Sequence, residues 1–373
     1  MKIVFVASVL NNHLLPFCNE LNLEHDFIFI ATRNYSVVNQ VTHSKKPMQK
    51  DFVLNYFEEE QRQKCIEKVL DADIAIFGGS SSELLKIRKQ TDKLSFVYTE
   101  RFFKRGKWRR FIPSTAKTLR EQFIKDNKNL YVLCAGSFVA EDLKVIGFDT
   151  TRCFKFGYFP FVEQSDIQDL LAKKDNNIPQ LLFVGRLLKW KRCQDVIKCC
   201  QMLKLANIPV ELNIVGDGPE REKMEKLRIR YGLDNVHLCG AKSSSEVFDI
   251  MSRSNAMFIS SNRFEGWGAI VNEALSNACP VIASDACGST AYLIKEGVNG
   301  YVYKSGNVRD MFEKTKIFLQ NESANIYVQA YNTVNNEWNA TVAARRFIEI
   351  CKDLVENNSP TVYERGPMSK EIV

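Results

Sequence analysis

Residues 260–289 read SSNRFEGWGAIVNEALSNACPVIASDACGS, and the carboxylates of Glu265 and Glu273 frame a turn built on Gly266 and Gly268. The apolar periodicity around that turn predicts a strand before it, a helix from about Ala269, and a second strand after it. A helix starting there points unsatisfied backbone N–H groups and the positive end of its dipole back into the turn, where a phosphate would be held. Glycine suits the turn because a residue without a Cβ lets the main chain approach an anion closely. Chemistry on a nucleotide-linked sugar is the leading expectation.

Two earlier stretches carry matching chemistry. In GRLLKWKR the cations Arg186 and Lys191 follow Gly185 at the carboxyl end of an expected strand, 181–184. One forked and one point-like cation suit a diphosphate. In VGDGPER, Gly216, Asp217 and Gly218 form a turn between a strand and a helix. Each group alone has an ordinary explanation: a common turn for Gly-Asp-Gly-Pro, a solvated face or ion pair for Glu273, and surface charges for Arg186 and Lys191. Their joint order is what favours the site.

These groups need a scaffold that delivers loops to one edge. Short apolar runs alternate with amphipathic stretches of helical length, as in parallel sheets with crossover helices. Strands are expected at 2–7, 27–31, 74–77, 94–98, 130–133 and 153–156, then at 181–184, 211–215, 236–238, 256–260, 280–283 and 301–303. Helices are expected at 59–70, 114–124 and 138–146, and from Met311, Ala324 and Thr341. The fold class is α/β: two doubly wound, Rossmann-like halves facing across a cleft at the carboxyl ends of their strands. Residues 1–165 form the first domain, the polar stretch 166–179 a linker, and 180–337 the second domain. Residues 338–356 form a terminal helix able to pack back on the first domain, and 357–373 a loose tail.

Composition narrows the setting. The chain has 373 residues, 45% hydrophobic and 25% charged, enough for two domains and against general disorder. Its eleven cysteines are odd in number and lack a Cys-x-x-Cys pair, so neither a disulfide framework nor a thiolate zinc site is expected. A reducing cytoplasm is the simpler setting. The opening MKIVFVASVL stops at Asn11 and Asn12, which fits a first strand better than a signal peptide. No apolar run is long enough to cross a bilayer. His13, His25, His43 and His237 lack metal-ligand spacing, and no metal is expected.

With VHLCG, SDACGS and GVNGYVY added, six landmarks stand in order over residues 181–303. On these the chain resembles a retaining family-four glycosyltransferase of the GT-B fold. The resemblance implies a nucleoside-diphosphate sugar as donor substrate, no cofactor, and no metal. It places Arg186 and Lys191 on the diphosphate, where they neutralise the leaving group, and Glu265 beside the donor sugar. Arg186, Lys191 and Glu265 are thus the catalytic set. Glu273 would accept hydrogen bonds from the ribose, and the backbone of Gly266, Trp267, Gly268, Ala269 and Ile270 would line the pocket. It implies front-face attack, with the leaving phosphate helping to deprotonate the acceptor. Counting eight helical steps puts Glu265 and Glu273 roughly 12 Å apart, too far for the roughly 5 Å carboxylate pair of a retaining glycosidase.

The first half departs from the family pattern, lacking a recognisable glycine-rich loop after the first strand and the later His-bearing motif. Its acceptor-side candidates are Asn12 and His13, beside Asn11 in the first loop, and Glu100 and Arg101 after a strand end. The loops at Gly78 to Glu83 and Cys134 to Phe138 occupy similar positions. Residues 101–111, RFFKRGKWRRF, carry six cations and four aromatics. Such a mixture suits an anionic membrane surface or lipid-diphosphate acceptor, and equally a solvated loop with its aromatics packed down; RNA stacking is set aside. The expected function is transfer of a hexose or related sugar to a glycan or lipid-linked acceptor in capsule or exopolysaccharide synthesis, on the cytoplasmic side of a membrane. The alternative is a non-catalytic nucleotide-sugar-binding subunit supporting a partner enzyme.

Overall fold

A computed structural model describes residues 1–34, 50–79, 82–126, 128–161, 165–174, 177–356 and 358–371. His43, Ser80 and Ser81, two positions of the expected linker (175 and 176), and 357, 372 and 373 of the expected tail lie outside the described residues. The chain divides into two units, Met1–Phe161 with Trp338–Val373, and Val162–Glu337.

The first unit holds a seven-stranded parallel sheet of β1 (Lys2–Ala7), β2 (Asp26–Ala31), β3 (Val53–Asn55), β4 (Ile74–Gly78), β5 (Ser95–Thr99), β6 (Leu130–Ala135) and β7 (Cys153–Phe156). Its order is β3-β2-β1-β4-β5-β6-β7. Ile3 to Ala7 are all buried, because a parallel strand covered on both faces reads as a continuous apolar run rather than an alternating one. β3 escaped the sequence reading because three half-buried residues give too short a period to register. Helix 114–124 was expected as one piece; it is an α-helix, Pro113–Leu119, followed by a π-turn, Arg120–Ile124.

The second unit holds β8 (Gln180–Val184), β9 (Glu211–Val215), β10 (Val236–Gly240), β11 (Ala256–Ile259), β12 (Val281–Ser284) and β13 (Gly300–Tyr303), in the order β10-β9-β8-β11-β12-β13. Leu181, Phe183, Leu212, Ile214 and Phe258 from its central strands share one buried cluster with Val196, Ile197 and Leu203 of the helix Cys193–Leu205.

Part of the expected linker is structure. Residues Ile167–Ala172 form a helix capped by the Asp166 carboxylate, and Leu170 joins the second unit's core. Polar composition misled because the helix shows only one face inward. Lys174 is buried, and its ammonium donates to the carbonyls of Ser254 (2.7 Å) and Met251 (3.0 Å). The tail is not loose either. Met368 N donates to Lys155 O at 2.7 Å and Lys155 N to Ser369 O at 2.8 Å, which ties residues 368–371 antiparallel to β7. The helix Ala340–Val355 belongs to the first unit, where Phe347 packs edge-on against Phe17 and Phe96.

A buried charge organises the amino edge of the first sheet. Arg88 is fully buried, and its guanidinium donates to the carbonyls of Val69, Ala72, Asp73 and Leu94 at 2.7–3.0 Å. Burial holds this guanidinium down at about 10. All eleven cysteines are free thiols, ten of them buried, and serve as small core residues.

Candidate active site

Strand order in the second sheet reverses between β8 and β11, which pair in parallel through Phe183 and Phe258. Loops leaving the carboxyl ends of two such strands diverge and open a crevice. Lys191 lies on the loop after β8 and Glu265 on the loop after β11. The two side chains, 17% and 12% exposed, form an ion pair. Ser261 donates its hydroxyl to the same Glu265 oxygen at 2.8 Å. The main chains are stitched as well, through Asn262 N to Trp190 O at 2.9 Å and Ser260 Oγ to Lys191 O at 2.7 Å. The Lys191 ammonium also sits 4.6 Å from the Trp190 ring centre.

Glycine is required where the neighbouring loops touch. A Cβ on Gly216 would stand 2.0 Å from the carbonyl oxygen of Gly185, and one on Gly218 2.8 Å from that of Leu187. Glu220 N donates to Leu187 O at 3.0 Å and Leu187 N to Asp217 O at 2.8 Å, so the 185–187 and 216–220 loops form one wall. Arg186 projects exposed from that wall and has no side-chain partner among the described residues. The Asp217 carboxylate accepts from Gly218 N at 2.7 Å, which makes it a brace of its own turn.

At the second glycine turn, Gly268 has φ +85°, and a Cβ there would lie 2.7 Å from Cys287 Sγ. The Trp267 ring anchors this turn from inside the fold. It is wholly buried, with its indole N–H donating to Asn272 Oδ1 at 2.8 Å, while its carbonyl accepts from Ser289 N at 3.0 Å. The following helix is Ile270–Ser276, seven residues long. Of the eight steps between Glu265 and Glu273 only the last four enter that helix, so helical rise does not measure their separation and the 12 Å expectation loses its basis. Glu273 is half-buried in the first turn of this helix. Its carboxylate has no partner among the described residues, and burial pushes it up to about 7.

In the first unit, a cavity of about 500 Å³ opens beside the carboxyl ends of β1, β4 and β5, and Glu100, Arg101, Tyr98 and Tyr158 reach its wall. Glu100 accepts from the Tyr158 hydroxyl (2.8 Å) and from Lys104 Nζ (2.7 Å). Arg101 has its guanidinium 4.4 Å from the Phe138 ring centre and 3.9 Å from Asp142, whose own carboxylate accepts from Phe102 N and Phe103 N. Asn12 and His13 do not line this cavity; Asn11 does. The Asn11 carboxamide instead caps the chain at His13 N and Leu14 N. The His13 ring stacks on Tyr158 at 5.4 Å, and burial lowers its basicity against the opposing pull of Glu100. Its Nδ1 is buried and has no hydrogen-bond partner among the described residues.

Sequence reasoning found both members of the Lys191–Glu265 pair but missed Ser260 and Ser261, which bind them. The signal was available: two hydroxyl residues directly follow an apolar strand. Tyr158 and Lys104, the partners of Glu100, carried no such signal. Among the described residues no group of three His, Cys, Asp or Glu is placed to hold a metal ion.

Among known proteins, residues 164–333 match the family model described as Glycosyl transferases group 1. An uncharacterized glycosyltransferase of Methanocaldococcus jannaschii is 28% identical over 141 residues, 38% of each chain. The poly(glycerol-phosphate) alpha-glucosyltransferase of Bacillus subtilis is 25% identical over 199 residues, 52% of this chain and 29% of that one. The chain therefore spans well under half the length of these two relatives. Among solved structures, Anabaena HepE in complex with UDP superposes with a TM-score of 0.67 over 95% of this chain and 100% of that one, at 15% identity. The fold is that of GT-B glycosyltransferases, with a Rossmann-like parallel sheet in each unit.

Proposed function

We propose that this chain, whose residues 164–333 belong to the group 1 glycosyl transferases, is a retaining glycosyltransferase. It moves a sugar from a nucleoside-diphosphate donor to a glycan or lipid-linked acceptor on the cytoplasmic side of a membrane, in the synthesis of a capsule or other surface polymer. The observation that carries this reading is the ion pair of Lys191 with Glu265 at the point where the strand order reverses. A cation and an acid meet there beside glycine loops whose backbone tolerates no side chain. HepE is described in complex with UDP, and the Bacillus relative is named for adding glucose to a phosphate polymer; both support a nucleotide sugar and a polymeric acceptor.

In this reading the exposed Arg186 and the Lys191 ammonium take the diphosphate and stabilise the charge that grows as the anomeric carbon–oxygen bond breaks. Glu265, held by Ser261, borders the donor sugar, and Glu273 accepts from the ribose hydroxyls. The acceptor oxygen attacks the anomeric carbon on the face the nucleotide leaves. Its proton passes to the departing phosphate, whose charge Arg186 and Lys191 neutralise in place of a metal.

Calorimetry against a panel of sugar nucleotides, followed by transfer assays with the best binder, tests the proposal. One binder with a measurable transfer supports it. Binding without transfer to any glycan or lipid-linked acceptor points to the supporting-subunit reading, and no binding to any nucleotide overturns both.

A further inference from the structure

The basic aromatic segment separates into a packed part and an exposed part. Its first part is consumed by the fold: Phe103 is buried, Phe102 stacks on Phe123, and Arg101 lies between Phe138 and Asp142. Lys104 pairs with Glu100, and Lys107 with Glu141. The second part is a 3-10 turn, Lys107–Phe111, that presents Trp108 at 60% and Phe111 at 73% exposure. Exposed aromatics of this size mark an interaction surface rather than packing.

Charge names the partner. No acid occurs anywhere from residue 101 to residue 120, whereas eight of those residues are cationic. The nearby acids Glu100, Asp142, Glu141 and Glu121 are already engaged, the last by Lys86. Arg105, Arg109, Arg110 and Arg120 therefore form no ion pair among the described residues. The aromatics are held ready between them: the Trp108 indole N–H donates to Arg105 O at 3.1 Å, and the Arg110 guanidinium sits 4.6 Å from the Phe111 ring centre. No helix among the described residues is long and apolar enough to cross a membrane.

We propose that Arg105, Trp108, Arg109, Arg110 and Phe111 dock the first unit on an anionic phospholipid surface, the arginines on headgroups and the two rings at the acyl boundary. The pairing of aromatic and uncompensated basic side chains on one short turn is what such a surface attracts. Docking would hold the enzyme where a lipid-linked acceptor lies, yet the inference stands on this surface alone and survives if the donor reading fails.

The full chain is co-sedimented with phosphatidylglycerol/phosphatidylcholine vesicles and with pure phosphatidylcholine vesicles across a salt series. Wild type should pellet with the anionic vesicles only and be released as salt rises. Arg105→Gln/Arg109→Gln/Arg110→Gln should partition about a hundredfold more weakly, and Trp108→Ala/Phe111→Ala should also weaken while keeping the salt response. The control Lys226→Gln/Arg228→Gln/Arg230→Gln, with equal charge loss on the helix Arg221–Arg230, should bind as wild type. Thermal melts confirm that each variant is folded. Equal loss in the control, no pelleting of wild type, or tighter retention on a single-stranded oligonucleotide than on vesicles overturns the proposal.

Discussion

Lys191 and Glu265, 74 residues apart in the chain, are joined in an ion pair that also includes the Ser261 hydroxyl. The ammonium proposed to meet a diphosphate is thus paired with the acid proposed to border the sugar. On the proposed reading a bound diphosphate would compete with Glu265 for Lys191, while Arg186 is exposed and has no side-chain partner among the described residues.

Cation removal should then be unequal. A charge-assisted hydrogen bond contributes roughly 1.5–3 kcal/mol, so Arg186→Ala should weaken nucleoside-diphosphate binding at least about tenfold. Lys191→Ala also loses a contact but strands the Glu265 carboxylate next to the phosphates, so its loss should exceed that of Arg186→Ala. Calorimetry with the diphosphate of the preferred nucleotide decides; unchanged affinity in both variants removes them from the site.

Glu265→Gln removes the negative charge while keeping the Ser261 contact feasible. It frees Lys191 for phosphate, so nucleotide binding should hold or tighten, whereas turnover should fall a hundredfold or more, about 2.7 kcal/mol of barrier. Steady-state kinetics with an established donor and acceptor checks this. Turnover within about twofold of wild type would sink the role given to Glu265.

The pattern of success in the sequence follows from what each feature depends on. Alternating apolar runs gave both sheets because a buried parallel strand is legible from its own residues, as Ile3 to Ala7 and Val281 to Ala283 show. Lys191 and Glu265 were legible because each follows a strand end. What linked them was not: Ser261 matters only because β8 and β11 are neighbours. Arg101 was legible from its place after a strand end, whereas its partners Asp142 and Phe138, 3.9 and 4.4 Å away, were not. Asn357 onward looked loose because pairing with β7 spans more than 200 residues.

Arg88 provides a test of the first unit independent of function. Arg88→Met keeps an unbranched apolar stem but takes a donor from the carbonyls of Val69, Ala72, Asp73 and Leu94, of which Leu94 O keeps Ala75 N as donor at 3.2 Å. Buried acceptors left unmatched cost about 1–3 kcal/mol each, and partial relaxation should leave a net loss of at least about 3 kcal/mol. Urea unfolding followed by a probe in the first unit should show that midpoint drop. A shift below about 1 kcal/mol would mean water or a neighbouring group takes over the carbonyls.

Glu273 makes a prediction in pH. Burial raises its carboxyl from 4.5 to about 7 in the folded protein, so the folded state favours the protonated form. The associated stability is fully present below pH 4.5, declines as pH rises, and is lost above about pH 7. Gln mimics the protonated acid, so Glu273→Gln should melt with wild type at pH 4.5 and above it at pH 8, by up to about 3 kcal/mol. Nucleotide binding should move the opposite way if the ionised carboxylate accepts the ribose hydroxyls. Wild-type affinity should then rise as pH climbs toward 7 and level off above it, with a proton released on binding at pH 6, and Glu273→Gln should lose both the affinity and its pH dependence. Calorimetry in two buffers of different ionisation enthalpy reads that proton directly. Zero release at pH 6, together with a variant that binds nucleotide as tightly as wild type, would leave Glu273 a strained core acid with no part in the site.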